Sequence, residues 1–279
     1  DDPSFLKLGS SSRFSLSFSL FLFRKVVPSE QPDPHKYLSF MSTYAEPVNG
    51  ELLTFCKRWI RRNLRGWDRG YFERASNLTL PLSACGESSR SSGGCRGMLV
   101  QDRWDRSDFS TYVLESVLDL PRGPSSVSTV LSSGKWRTIS CPPRVDNSLR
   151  ALHHAFYDRL SRFDWLLRGD AKASSFKGFI KVPGEVFVSG DYESATDNLN
   201  KEFQLEILSS VLDGCVECPL GITRHALSSY THNVLRCNQP MCDIESRPGV
   251  ACCRDRFSVV QGRGQLMGQL LSFPLLCLV

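Results

Sequence analysis

The chain has 279 residues, 41% of them apolar and 23% charged, which is the composition of a folded protein and excludes disordered, collagen-like and disulfide-scaffold classes. With 34 Lys and Arg against 29 Asp and Glu, the formal net charge is +5, an excess that permits a polyanionic partner without requiring one. A mean hydropathy of -0.21 suits a soluble protein.

Near the amino end, Phe14 to Phe23 alternates aromatic or Leu residues with Ser and reads as a strand with one buried face. A membrane helix needs roughly 20 apolar residues, so this run is too short, and it lacks the basic region and cleavage site of a signal peptide. Residues 1–50, with prolines at 28, 32, 34 and 47, read as a loop-rich leader. The opening Asp1-Asp2-Pro3 and the uncapped apolar run Leu270 to Val279 read as the ends of a fragment. The 11 cysteines are an odd number and fit a reducing compartment, hence the cytoplasm.

From Glu51 to Arg65 the pattern is that of a helix, with Leu52, Phe55, Cys56, Trp59, Ile60 and Leu64 as the apolar stripe. Its other side carries Lys57, Arg58, Arg61, Arg62 and Arg65. Such a face is usually just solvated, but it can also track phosphates or lie on a lipid surface, so membrane association stays open. Residues 83–98 are rich in Ser and Gly and read as a loop. A β-prone run at Val127 to Leu131, a turn at Ser132-Ser133-Gly134 and a second run at Lys135 to Ser140 read as a hairpin that puts Lys135, Arg137 and Ile139 on one face. A helix opens at Ser148, with Leu149, Leu152, Phe156, Leu160 and Phe163 at helical spacing. His153 and His154 diverge around it and cannot share one metal.

Glu185 to Val188 reads as a buried strand, followed by Asp191, Asp197 and a helix carrying Leu199, Phe203, Ile207, Leu208, Val211 and Leu212 up to Asp213-Gly214. A carboxylate at the exit of such a strand is placed to grip a divalent cation; the alternative is a helix cap, the role open to Asp197. In Cys215-Val216-Glu217-Cys218, the spacing suits half a zinc site. The candidate return half, Cys237 and Cys242 with Cys252, Cys253 and His232 nearby, is irregular, and free thiols in a connection are the favoured reading. Finally, Gly262, Gly264 and Gly268 form a loop that leads into an apolar helix, and Gly268 and Ser272 share a face if the helix has begun by then.

The order of these parts resembles the motif F, A and B succession of viral RNA-dependent RNA polymerases. Gly190-Asp-Tyr-Glu-Ser-Ala-Thr-Asp-Asn-Leu199 and Gly264-Gln-Leu-Met-Gly-Gln-Leu-Leu-Ser-Phe-Pro-Leu-Leu-Cys-Leu278 are similar to the ourmia-like (botourmiavirus) polymerases, relatives of the narnaviruses and mitoviruses. Gly134 to Ser140 and Leu166 to Ala171 fit the same group, and Gly66-Trp-Asp68 and Glu87 to Gly94 fit it more loosely. The likeness spans about residues 50–279.

This resemblance implies an α+β fold made of right-hand polymerase fingers and a partial palm, truncated before motif C and the thumb. Residues 1–50 would be the leader, 51–180 the fingers region and 181–279 the partial palm. It also implies a viral replicase of the host cytoplasm, with single-stranded RNA as template and product and nucleoside triphosphates as substrates. Asp191 would bind catalytic magnesium, with manganese as the alternative ion. Asp197 would sense the ribose 2′-OH, Lys135 and Arg137 would hold the triphosphate, and Gly268 and Ser272 would shape the nucleotide-binding loop. The RNA 3′-oxygen would then attack the α-phosphorus in line, with two metal ions stabilising the entering and leaving oxygens. Two positions depart from the family: Leu276 stands where many such enzymes have Asn, and no Gly-Asp-Asp occurs. The polypeptide by itself is therefore expected not to polymerise RNA. The readings from other classes are a non-catalytic RNA-binding remnant and a cysteine-rich zinc module at residues 215–253.

Overall fold

The computed structural model describes residues 7, 9–22, 30–97, 106–115, 122–132, 134–170, 172–180, 182–186, 188, 190, 192, 194–237 and 257–278. In chain order its helices are α1 (Ser10–Leu22), α2 (Pro34–Met41), α3 (Gly50–Asn63), α4 (Tyr71–Ser76), the single turn α5 (Gly94–Gly97), α6 (Arg106–Glu115), α7 (Arg150–Leu160), α8 (Lys201–Leu212), α9 (Leu220–Thr231) and α10 (Ser272–Leu276). Four strands, β1 (Ser125–Ser132), β2 (Lys135–Cys141), β3 (Val234–Cys237) and β4 (Ser258–Val260), form one sheet in the order β2-β1-β3-β4.

The expected hairpin forms. β1 and β2 are antiparallel with Val127 opposite Ser140 and Val130 opposite Arg137. β3 then returns parallel to β1, with Ser125 opposite Leu235, and β4 closes the other edge antiparallel to β3. A parallel return needs a long crossover, which here runs through α7, α8 and α9.

Two cores hold the molecule. The larger joins α3, α4, α6, α7, α8, α9 and α10 around Ile60, Tyr71, Phe109, Phe156, Ile207 and Ile222, all essentially covered. The smaller lies between α2 and the sheet and contains Leu38, Met41, Val127, Leu235, Cys237 and Leu266. Helices α7 and α8 bury the apolar residues that their spacing predicts, Leu152, Phe156 and Leu160 in one, Phe203, Ile207, Leu208 and Val211 in the other. The cap of α8 is Asn200, whose Oδ1 accepts the Phe203 N–H at 2.8 Å; Asp197 does not fill that role.

Four expectations need correction. Residues 10–22 are helical, not a strand: none of the four strands lies beside them, and a helix satisfies the backbone internally, as in Arg13 N–H to Gly9 O at 2.9 Å, while Phe14 stands 74% exposed. The leader is not simply loop, since Asp33 caps the His35 N–H at 2.8 Å and Pro34 starts α2 in the first turn, where its missing N–H costs nothing. In α3 and its C-cap, Cys56, Trp59, Ile60 and Leu64 of the expected stripe pack on the core and Leu53 joins them, whereas Leu52 and Phe55 are exposed. Glu185, Val186 and Val188 do not form the expected buried strand. Glu185 donates its N–H back to Val182 O across the Pro183-Gly184 turn, and Val186 and Val188 are 83% and 88% exposed. Among the described residues, no helix is long and apolar enough to cross a membrane.

Candidate functional site

Asp197 lies in a tight turn in which the N–H groups of Asp197 and Asn198 both reach Ser194 O, at 2.9 and 3.2 Å. Ser194 takes the left-handed conformation at φ 51°, uncommon for a residue with a side chain. Against this turn lies the glycine loop. Gly264 donates to Leu199 O and Gln265 to Thr196 O, each at 2.8 Å, and Arg263 Nε donates to Asp197 O at 3.2 Å. Gly264 has φ +71°, and a β-carbon on it would meet the Asp197 carbonyl oxygen at 2.8 Å. Only glycine serves both needs.

The Asp197 carboxylate is half-buried, and burial lifts its pKa above the ordinary value; hydrogen bonds from Thr196 and the Tyr37 phenol and the charge of Arg263 act against that rise. Tyr37 comes from α2, so the segment read as leader supplies a donor to the site. The same helix supplies Phe40, over whose ring the Arg263 guanidinium sits at 4.2 Å, and Met41, whose carbonyl accepts the Gly262 N–H at 2.8 Å. The sequence signal for this helix was Asp33-Pro34 followed by Tyr37, Leu38 and Met41 at helical spacing.

A carboxylate with a raised pKa prefers the protonated form in the folded state. Its favourable contribution is therefore complete below the unfolded value and is lost as pH rises through the folded one. Asp197→Asn is accordingly expected to match or exceed the unsubstituted chain in urea-unfolding midpoint at about pH 7.5, with the gap closing by about pH 4. A gap that widens on acidification would contradict the assignment.

Farther along the loop, Gly268 packs on the end of β2: a β-carbon there would lie 1.8 Å from Ser140 O, and the Gly268 N–H points at Ser140 Oγ at 3.4 Å. Helix α10 begins only at Ser272, so Gly268 and Ser272 do not share a helical face. Ser272 is buried and donates its hydroxyl to Gln265 Oε1 at 2.9 Å. His153 holds the chain just before it, with Nδ1 donating to Leu270 O, and burial keeps its pKa below the usual histidine range.

A buried polar chain anchors the loop. Arg122 makes a two-point contact with Asp146, at 3.0 and 2.8 Å, and His225 Nε2 lies 3.0 Å from the same carboxylate. Arg122 also reaches Asn233 Oδ1 at 3.1 Å, Asn233 donates to Gln261 Oε1 at 2.8 Å, and Gln261 donates to Gly264 O at 2.8 Å. Every link is a hydrogen bond between buried or half-buried groups, the arrangement that fixes one geometry. Nothing in the sequence around Arg122, His225 or Asn233 marks them for this role.

Lys135 and Arg137 stand exposed on β2 and make no ion pair with a described residue. By strand alternation their side chains leave the face opposite Ser140. Asp191 lies outside the described residues.

The CxxC loop also serves the fold. The Asp68 carboxylate, fully buried, accepts the N–H groups of Val216, Glu217 and Cys218 at 2.7 to 3.0 Å, and Glu217 in turn accepts the Gly70 N–H at 2.8 Å. Burial first, and then the Asp68 charge, push the Cys215 and Cys218 thiols far up, which favours the neutral thiol. Cys242, Cys252 and Cys253 lie outside the described residues. Among the described residues, no group of three or more His, Cys, Asp or Glu is assembled to hold a metal.

No model of a known protein family matches the chain, and no curated protein matches it in sequence.

Proposed function

We propose that the chain forms the fingers and part of the palm of an ourmia-like viral RNA-directed RNA polymerase, a host-cytoplasmic replicase acting on single-stranded RNA with nucleoside triphosphates. The observation that carries the reading is the meeting of three segments distant in sequence. The Asp197 turn is tied to the glycine loop at Gly264, and the same loop is seated on β2 at Gly268. These are the segments whose residues resemble motifs A, B and F.

In this reading Asp197, half-buried and held by Tyr37, accepts the hydrogen bond of a ribose 2′-OH, the group that separates ribonucleotides from deoxyribonucleotides. Lys135 and Arg137, exposed and free of carboxylate partners among the described residues, meet the triphosphate through charge-assisted hydrogen bonds. Gly268 and Ser272 act at one remove, since Gly268 sets the distance from the loop to β2 and Ser272 holds Gln265.

A magnesium ion would supply the neutralising charge for phosphoryl transfer, with Asp191 as its ligand. Among the described residues, Asp197 is engaged by Tyr37 and no acidic cluster surrounds it.

The test is template-directed synthesis by the intact replicase carrying these residues. Asp197→Ala is expected to lower the preference for ribonucleotides over 2′-deoxyribonucleotides by about tenfold or more, because a site built around a hydroxyl loses most when its buried partner is removed. Tyr37→Phe should shift the ratio in the same direction by less. An unchanged ratio in Asp197→Ala would refute the role.

A further inference from the structure

A cavity of about 190 Å3 lies between the turn that joins α3 to α4 and the last turns of α7, and none of its lining residues belongs to the Asp197 turn or the glycine loop. Five arginines line it, Arg65, Arg69, Arg74, Arg159 and Arg162, against one carboxylate, Asp158. That carboxylate is already shared by Arg74, at 3.0 Å, and by Arg168 from outside the cavity. Arg65, Arg69 and Arg162 make no ion pair with a described residue, and Arg159 has its Nε buried without a hydrogen-bond partner. Like charges gathered around a hollow repel one another unless an anion enters it.

The walls are rigid. Gly66 donates to Gly214 O at 2.7 Å, Trp67 Nε1 donates to Val211 O at 2.8 Å, and the Trp67 ring packs 4.8 Å from Phe156. One residue on, the buried Asp68 carboxylate is fixed by three backbone N–H groups of residues 216–218. Arg65 and Arg69 thus project from a turn clamped on either side, which lowers the ordering cost of a contact they make. Opposite, Arg159 and Arg162 are three residues apart and project from the same side of α7 and its continuation.

We propose that this cavity binds phosphates of a single-stranded RNA. Planar guanidinium groups match phosphate oxygens two at a time. The apolar members of the lining, Trp67 and Ala155, are buried, so the cavity offers a lipid surface no apolar side chain to insert. Arg58 and Arg62 stand exposed one turn apart on α3, and exposed Arg65 follows just past its end, so a basic track leads from the helix into the cavity. The basic face of α3 thereby acquires a destination.

The assignment rests on RNA being the ligand in the function proposed above, and the two are separable by fluorescence anisotropy. The full chain is titrated into a labelled single-stranded oligoribonucleotide of about twelve nucleotides, at salt concentrations from about 50 to 200 mM. Arg65→Gln with Arg162→Gln is expected to weaken binding about tenfold and to flatten the salt dependence by about 1.4 in slope, the value for two phosphate contacts on a single strand. Lys172→Gln with Lys177→Gln removes the same charge from exposed positions elsewhere and should change affinity by less than about twofold. Arg69→Gln alone, on the same wall, is expected to weaken binding in the same direction and keeps the result readable if the double variant loses its unfolding transition. RNA bound equally by the unsubstituted chain and both arginine variants would overturn the cavity assignment and leave the polymerase reading intact. Equal losses in the arginine and lysine pairs would also overturn it. No binding of RNA by the unsubstituted chain would overturn both proposals. Binding to phosphatidylserine vesicles in preference to RNA, lost in the arginine variants, would replace the RNA assignment with a membrane one.

Discussion

Gly268→Ala is expected to destabilise the chain by about 1–3 kcal/mol, the range for forcing a methyl group into filled space. The new β-carbon would lie 1.8 Å from the Ser140 carbonyl oxygen and 3.1 Å from Pro142 Cδ, and the nearer atom is backbone in a paired strand. The clash cannot be relieved by turning a side chain. Either the glycine loop lifts from β2 or the end of β2 leaves its partner Val127, and both loosen the junction that carries the functional reading. The unfolding midpoint should fall by roughly 2–10 °C. Gly50→Ala is the matched control, since a β-carbon there meets nothing within 4 Å. Equal midpoints for the two variants would mean that the loop does not sit on β2.

The second large effect is expected at Asp68, away from the nucleotide residues. Asp68→Ala removes the acceptor for the N–H groups of Val216, Glu217 and Cys218 in a place without exposure to water. Losing one partner of a buried charged network typically costs about 3–5 kcal/mol, because the other groups stay buried and unpaired. Asp68→Asn keeps one acceptor oxygen and should lose less. A chemical-denaturation series on the three proteins tests the order: unsubstituted first, Asn next, Ala last. If zinc and not Asp68 organised the CxxC loop, a chelator would lower the stability of the unsubstituted chain, and Asp68→Ala would leave it nearly unchanged.

The parts legible in the sequence are those set by local rules. The hairpin follows from two β-prone runs around Gly134, and α7 and α8 follow from apolar residues at helical spacing that the structure buries, from Leu152 to Leu160 and from Phe203 to Leu212. Local rules fail where the deciding partner is remote. Ser alternation at residues 14–23 suggests a strand only if another strand lies alongside, and none does among the described residues. The exposed Val186 and Val188 make the same point, since apolar content does not create a neighbour.

The site was legible to the same extent. Asp197, Gly264 and Gly268 could be singled out because their neighbours in sequence carry a pattern. Tyr37 reaches Asp197 from 160 residues away, and Arg122 finds Asn233 across 111 and Asp146 across 24, separations at which composition and periodicity hold no information. The CxxC spacing carries a second meaning for a related reason. Two thiols three apart suit a metal, but the same turn also points three successive N–H groups at one carboxylate, and Asp68 supplies it from 148 residues away.

The central claim is that the Asp191 to Asp197 segment serves RNA-directed nucleotidyl transfer. Its most direct test is incorporation of labelled ribonucleotides on an RNA template by the intact replicase carrying this sequence, with and without Asp191→Ala. The account predicts template-dependent product from the unsubstituted enzyme and a loss of at least about a thousandfold in the variant, as expected when an essential group of a concerted site is removed. Equal product from both, or none from the unsubstituted enzyme on any RNA template, would contradict it.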